Sequence, residues 1–457
     1  MSHQRHFLVA GLLGAFFATT TSPANALNLK DAFRGALEYD ADLLTAKAAR
    51  DEIHAGVPVA RSALLPQLSL SVQKNKANTR VEYQDTNLPN RDFGNYESGS
   101  SAWNLRQPIF RKADWDALHV AEAQANAAEA NLNKESQNAG LRAAAAYLEV
   151  LSARSATYLA YNQTKAMAAW HSLAEKSFDA GRGTRTDIED ARARLDIARA
   201  KESEAEINLA VASRSFLVVT GLEAERIPEV NPRLLNPEKL AMLNKEEWVL
   251  RIENDNPEIQ SLKKQLEAAH SAVSQIRSGH LPTLDLVATH RRSNSDYDTS
   301  IGQEYTTKYV GLQLNVPILN GGGVLAQTAQ AQARQEKTRQ SLESTRRKIF
   351  AEGDKLFSAI WHGTKLTQAL NQAVVSAERA VQGERKGIQA GTRNVVDALD
   401  AERRMYEAMR EHAAAVYSLA YNRLKFMALA GAIDHDAIGG IDSWLSSGRN
   451  VPPAPEK

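Results

Sequence analysis

Two periodicities alternate along this chain. Apolar Leu68, Leu70 and Val72 alternate with Gln67, Ser69, Ser71 and Gln73, and Leu284, Leu286 and Ala288 alternate with Thr283, Asp285 and Thr289. Val310, Leu312, Leu314 and Val316 alternate with Gly311, Gln313 and Asn315, and a fourth, less regular stretch lies over residues 101–106. A period of two marks a strand with one apolar and one polar face. Stretches 76–100 and 293–305 are expected as surface loops. Elsewhere the pattern is helical and unusually long. No proline occurs between Pro108 and Pro228 or between Pro317 and Pro452. Residues 113–179, rich in Ala, Glu, Gln, Leu and Arg, and residues 323–389 each predict a helix roughly 100 Å long. Such rods far exceed the usual three or four turns. They must pack side by side, and alanines such as Ala121, Ala123, Ala125, Ala127, Ala128 and Ala130 allow close approach. Two helices of one chain cannot bury their faces alone, so an intermolecular bundle is expected.

The elements come twice. Leu65-Pro66-Gln67-Leu68 returns as Leu281-Pro282-Thr283-Leu284, and Gln107-Pro108-Ile109-Phe110 as Val316-Pro317-Ile318-Leu319. Thr186-Asp187-Ile188-Glu189-Asp190-Ala191 returns as Val396-Asp397-Ala398-Leu399-Asp400-Ala401. The reading is a first repeat over residues 27–222 (helix, two strands, long helix, turn, helix) and a second over 247–432. Residues 223–246, with Pro228, Pro232 and Pro237, connect them, and residues 433–457 form a C-terminal segment whose proline-rich end is expected to be disordered. Gly181 and Gly391 follow the long helices and suit the positive φ of a turn.

Residues 1–26 read as a secretory signal: Arg5, an apolar run over 7–18, and the small-residue site Ala24-Asn25-Ala26. Arg5 is the only Lys, Arg, Asp or Glu in that segment, so the remainder carries equal numbers of basic and acidic residues. Such balance offers no general attraction to nucleic acid. Cysteine is absent, which excludes disulfides and a cysteine-linked lipid anchor. No later segment is apolar enough for a helical span, and mean hydropathy is −0.41. Any membrane crossing must therefore be as a barrel. Four strands cannot close one. Two chains would supply eight strands and three would supply twelve, both permitted numbers, and strand counting does not choose between them.

In the order and duplication of these elements the chain resembles the TolC-like outer-membrane efflux and secretion ducts. The resemblance rests on an opening helix over 29–49, both Leu-Pro-x-Leu strand starts, both Pro-Ile turns and both Gly-to-Asp turns. The stretch Gly391-Thr392-Arg393-Asn394-Val395-Val396-Asp397-Ala398-Leu399-Asp400 is similar to the family's tunnel tip. It implies an α+β membrane protein: a homotrimer whose twelve-stranded outer-membrane barrel, four strands per protomer, continues as a long α-helical barrel in the periplasm. The region after Thr220 and residues 433–457 would form a belt around the tunnel. The implied partners are a periplasmic adaptor, an inner-membrane ABC or proton-driven pump, and outer-membrane lipid. No cofactor is implied. Passage would be passive and gated, with cargo either a secreted protein or small toxic compounds. The missing lipidation cysteine and the Gly-Thr-Arg tip favour the type I secretion branch.

Asp397 and Asp400 share a helix face, and threefold symmetry would turn them into two rings of carboxylates. Clustered carboxylates raise one another's pKa. The same acids also suit a helix start, where they face the positive end of its dipole. The resemblance aligns Thr186 and Asp187 with a position that locks the tip, and Arg393 with the arginine of that lock. Ile388 stands where related ducts often carry a tyrosine, which removes one hydroxyl tether. Tyr83, Tyr96, Trp103, Tyr297, Tyr305 and Tyr309 are candidates for interfacial girdles. Gly321-Gly322-Gly323 lacks the Gly-Lys-Ser/Thr of a phosphate loop and reads as a join. The histidines show no metal-ligand spacing, and no nucleophile–base constellation marks an enzyme. Two other classes compete: a periplasmic α-hairpin adaptor, which leaves the duplicated strands unexplained, and a hydrolase with a coiled-coil appendage, which lacks a motif.

Overall fold

Helix α1 (Leu29–Tyr39) begins at a capping box in which the Asn28 side chain and the Asp31 carboxylate each accept the other's backbone N–H. It gives way to α2 (Ala41–Ser62) at Asp40, so the opening helix is two helices. Asp40 is extended, with φ −61° and ψ 117°, and its carboxylate caps the new helix by accepting the Leu43 N–H at 2.9 Å. Strands β1 (Gln67–Val81) and β2 (Arg91–Phe110) precede the long helix α3 (Lys112–Asp179) and its return α4 (Arg185–Thr220). Three short 3-10 turns then cross between the halves. The second half runs α5 (Lys245–Asp255), α6 (Pro257–Arg277), β3 (Thr283–Ser295), β4 (Gln303–Asn315), α7 (Gly323–Gln389) and α8 (Val395–Leu429), and α9 (His435–Ser446) closes the chain. Asn256 divides α5 from α6 as Asp40 divides α1 from α2, with φ −61° and ψ 119°. The computed structural model describes residues 26–84, 89–181, 183–240, 244–295, 303–393, 395–433 and 435–449. The expected signal before residue 26, Tyr297 and the proline-rich tail lie outside these.

The strands form one antiparallel sheet in the order β1-β2-β3-β4, leaving β1 and β4 as edges. They run further than their alternation suggested. β1 and β2 take up most of 76–100, and β3 and β4 reach into 293–305, so far less of these stretches is loop. Backbone pairing, rather than a clean apolar pattern, carries these extensions. The Pro-Ile pairs also differ: Pro108 lies within β2 opposite Asp285, just before a register shift, whereas Pro317 follows the end of β4. Pro108 is tolerated at a strand end because a bulge there needs no regular N–H donor.

Register sorts the two faces. Leu68, Leu105, Ala288 and Val310 form one row across all four strands, and the adjoining row is Ser69, Asn104, Thr289 and Tyr309. On the polar side Thr289 donates to Asn104 at 3.1 Å. On the apolar side nothing among the described residues covers the sheet: Val72 is 73% and Val310 74% exposed. Trp103 lies on that face, paired with Leu70 and His290. Tyr305 and Tyr309 alternate onto the polar face with Gly311 and Gln313, so they cannot belong to an outer girdle. The sheet is bolted to the helices by Asp285, 3% exposed, which accepts from Arg106 and Arg111, each at 2.7 Å.

Below the sheet, α3 packs on α2 and α6, and further down on α4 and α8, while α7 packs on α6 and then α8. Each long helix thus has short helices as neighbours at one level and its hairpin return at the next. The main core lies where these sets meet. Tyr147 and Phe216 make an edge-to-face pair there, with ring centroids 6.2 Å apart, and Leu29, Leu151, Ile360, Leu424 and Trp444 join them. The Tyr147 hydroxyl donates to the Leu27 carbonyl, and the Asp442 carboxylate accepts the Leu29 N–H, fixing the chain's start against α9. Among the described residues no helix is long and apolar enough to cross a membrane.

Candidate functional site: the tip of the helical body

The two long helices turn back at the end far from the sheet. After α7, Gly391 takes φ +74°, its N–H reaches the Ile388 carbonyl at 3.0 Å, and the Thr392 N–H reaches the Gly387 carbonyl at 2.9 Å. That is a Schellman closure, and it needs the positive φ that glycine supplies without strain. After α3, Gly181 takes φ +71° and donates to Phe178 in the same way. Both glycines therefore stand where the turn needs them.

The first turn re-enters helix α4 at Thr184. Its hydroxyl accepts the Asp187 N–H at 3.2 Å, while the Asp187 carboxylate accepts from the Thr184 N–H and hydroxyl, both at 2.8 Å. Asp187 is thus engaged within its own turn, and Thr186, just inside the helix, is exposed. In the second turn Arg393 folds back across its own hairpin. Its guanidinium lies 3.7 Å from Glu384 and 3.9 Å from Asp397, and its stem passes so close to Gly387 that a Cβ there would lie 2.5 Å from it. Among the described residues no ion pair joins Arg393 to Asp187 within the protomer. The physical reason is local: each group has a partner within a few residues of its own turn, at no cost in chain closure.

Between the hairpins the structure places a group that the sequence reading did not single out. Arg194 of α4 donates through Nε to Asp190 at 2.9 Å and through Nη1 to Asp400 of α8 at 2.6 Å. This arginine holds the Asp400 carboxyl below the usual carboxylate range. Within one protomer Asp400 therefore runs opposite to the rise expected of clustered acids, because its nearest charge is positive. The Asp190–Arg194 spacing was readable as a helix-face pair; the partner, 206 residues away in the chain, was not. Deeper in the hairpin the wholly buried Glu402 pairs with Arg385 at 2.5 Å.

Ile388, where a tyrosine was expected of related ducts, packs against a small apolar cluster. It comprises Met167, Trp170 and Ala174 of α3, Ala191, Leu195 and Ala198 of α4, and Ala398 and Leu399 of α8. Apolar contact thus occupies the position of the missing hydroxyl tether. Among the described residues no cluster of His, Cys, Asp or Glu could hold a metal ion.

Comparison with known proteins fits this arrangement. The family model described as "Outer membrane efflux protein" matches residues 33–222 and 248–432. The chain is 32% identical to the alkaline protease secretion protein AprF of Pseudomonas aeruginosa, over 93% of this chain and 89% of that one. It is 28% identical to the proteases secretion protein PrtF of Dickeya chrysanthemi, over 96% and 95%. Its fold is similar to that of the CmeC outer membrane channel of Campylobacter jejuni, with TM-score 0.74, 16% identity and 98% of both chains covered. A sheet with one bare apolar face, continued by long helices, fits an exit duct of the outer membrane. The chain belongs to the outer membrane efflux protein family.

Proposed function

We propose that three copies of this chain close into one duct, with twelve strands as a barrel in the outer membrane and the helices as a periplasmic tunnel. The supporting observation is the sheet: four strands, two unpaired edges and an apolar face with no protein cover. Open edges are not tolerated in lipid, so β1 and β4 need partners. The helices make the same demand, since Ile207, Val211 and Val218 of α4 and Leu325 and Trp361 of α7 lie exposed in the single chain. The division into repeats 27–222 and 247–432 is supported by the matching breaks at Asp40 and Asn256.

In this reading the duct passes its cargo passively, and a periplasmic adaptor and an inner-membrane pump supply the energy. The relatives named for protease secretion favour a secreted protein as cargo; the pump of this reading is then the ATP-driven one of the type I kind. At the tip, Asp397 and Asp400 of three chains form acidic rings that favour cations. Thr186 and Asp187 of one hairpin and Arg393 of another form a latch across the assembly. Partner binding breaks it.

The test is recovery of a heat-modifiable trimer from outer-membrane fractions. Deleting the gene should also empty the culture medium of one exported protein. A monomer in detergent crosslinking, or recovery solely from the soluble periplasm, would overturn the duct; loss of drug resistance with secretion intact would reassign the cargo.

A further inference from the structure

The geometry points to Arg194 as a selectivity-determining residue of the duct: a fixed counter-cation that sets how much negative charge Asp400 presents at the tip. The inference rests on the acidic-ring reading above and adds to it a residue that opposes the ring. Arg194 is not a loose surface cation. Asp190, one turn earlier on α4, holds Nε and leaves Nη1 directed at α8, where it meets Asp400. The neighbours of both ends are fixed by packing, since Leu195 and Leu399 sit in the apolar cluster that joins the hairpins. The arginine side chain is 24% exposed and the Asp400 side chain 40%, so the pair is reached by water and ions from one side while its other side is walled.

The charges decide the consequence. Per protomer, Asp190 and Asp400 with Arg194 leave one net negative charge where the two carboxylates alone would leave two. Asp400 and Arg194 belong to different hairpins, so their contact lasts only while α4 and α8 stay together. When the hairpins part, Asp400 loses its hydrogen-bonded counter-cation, keeps only the more distant Arg403 and Arg404 of its own helix, and the ring becomes more negative. The tip is thus weakly acidic when shut and strongly acidic when open. A wide opening then attracts cationic stretches of cargo, and the shut state does not trap divalent ions at an equal strength.

Purified trimers of the full mature chain in planar bilayers test this, with Mg2+ as the blocking ion. Arg194→Gln should tighten Mg2+ block roughly tenfold, as expected for one exposed charge per protomer a few ångströms from a divalent ion. Arg194→Lys keeps the charge and should block as the unaltered protein does, which a purely structural role for the guanidinium would not produce. Measuring block as a fraction of each variant's own conductance separates charge from any change in tip width. If Asp397→Asn/Asp400→Asn weakens Mg2+ block while Arg194→Gln leaves it unchanged, the ring stands and Arg194 is not its counter-cation. If Asp397→Asn/Asp400→Asn leaves block unaltered, the acidic ring itself is wrong and this inference falls with it.

Discussion

At the level of Tyr147 and Phe216, helices from both halves, α9 and the start of the chain interdigitate in one continuous core. At the level of Trp170 and Leu399, the hairpins meet through a small cluster, half of it alanine, flanked by ion pairs whose members stay partly exposed. The first region derives its strength from large side chains removed entirely from water. The second has little such area, and exposed ion pairs are typically worth only about 0.2–1 kcal/mol each. A body built this way can part at one end while the middle holds, because opening the tip exposes little apolar surface. That is the mechanical requirement of a duct that opens and shuts without unfolding.

The two regions should differ most when a large side chain of the central core is removed. Phe216→Ala should cost about 3–5 kcal/mol, since the ring is fully buried and its removal leaves a cavity. Thermal melting of the helical circular-dichroism signal measures this, and a shift no greater than that of a surface exchange would mean the middle is not the stable region.

Next in size is the break between α1 and α2. The Asp40 carboxylate caps α2 and accepts from Arg142 at 2.6 and 2.9 Å. Burial raises its pKa, but the Arg142 and backbone hydrogen bonds outweigh this and hold it below the usual carboxylate range. Asp40→Ala should cost about 1–3 kcal/mol, combining a lost cap with an arginine left short of a partner. A carboxyl depressed in the folded state stabilises above its unfolded pKa and ceases to as pH falls through the folded one. The difference in melting temperature between Asp40→Ala and the unaltered protein should therefore be full at neutral pH and shrink below about pH 4. A constant difference across that range would mean that the Asp40 charge does not stabilise the fold.

Tip exchanges should act on gating rather than on melting. Ile388→Ala should raise resting conductance in planar bilayers while lowering the melting temperature by far less than Phe216→Ala. The latch across the assembly is tested by Arg393→Ser with Asp187→Asn, the asparagine keeping an oxygen for the cap that Asp187→Ala would destroy. Each should raise resting conductance, and together they should do so less than additively. The three ties would contribute on the order of 1–3 kcal/mol in all; full additivity would mean the residues act apart.

The smallest expected effect is the response of the Arg194 tie to acid. Asp400 is depressed by Arg194, so the tie is intact at neutral pH and weakens only as pH falls below the usual carboxylate range. Resting conductance should rise modestly there, and Asp400→Asn should abolish that rise.

Much of this was legible from the chain alone. Period-two alternation located four strands, because a sheet with one side in lipid and one in water must alternate. The helix over Gly323–Gln389 matches its expected span, since nothing between its bounding glycines and prolines interrupts the backbone pattern. Gly181 and Gly391 announced their turns because few other residues accept that φ. The break at Asp40 was missed: an aspartate can sit within a helix or cap one, and only the arriving Arg142 and the packing of α1 decide between these. Strand length was missed where pairing continued past the apolar pattern.

At the tip the residue types were evident and their pairings were not. Asp187, Asp190, Asp397 and Asp400 stand out by helical spacing, which is local and therefore written in the sequence. That Asp187 closes on Thr184, that Arg393 turns to Glu384, and that Arg194 crosses to Asp400 depends on which hairpin lies beside which. Ile388 shows the same limit: the sequence recorded a lost hydroxyl, and only the packed structure supplied the apolar cluster in its place. Local periodicity determined the elements, the turns and the need for partners. Tertiary structure alone decided the charge pairs, because a guanidinium several bonds from its backbone can reach several carboxylates, and the one it meets is set by how the helices pack.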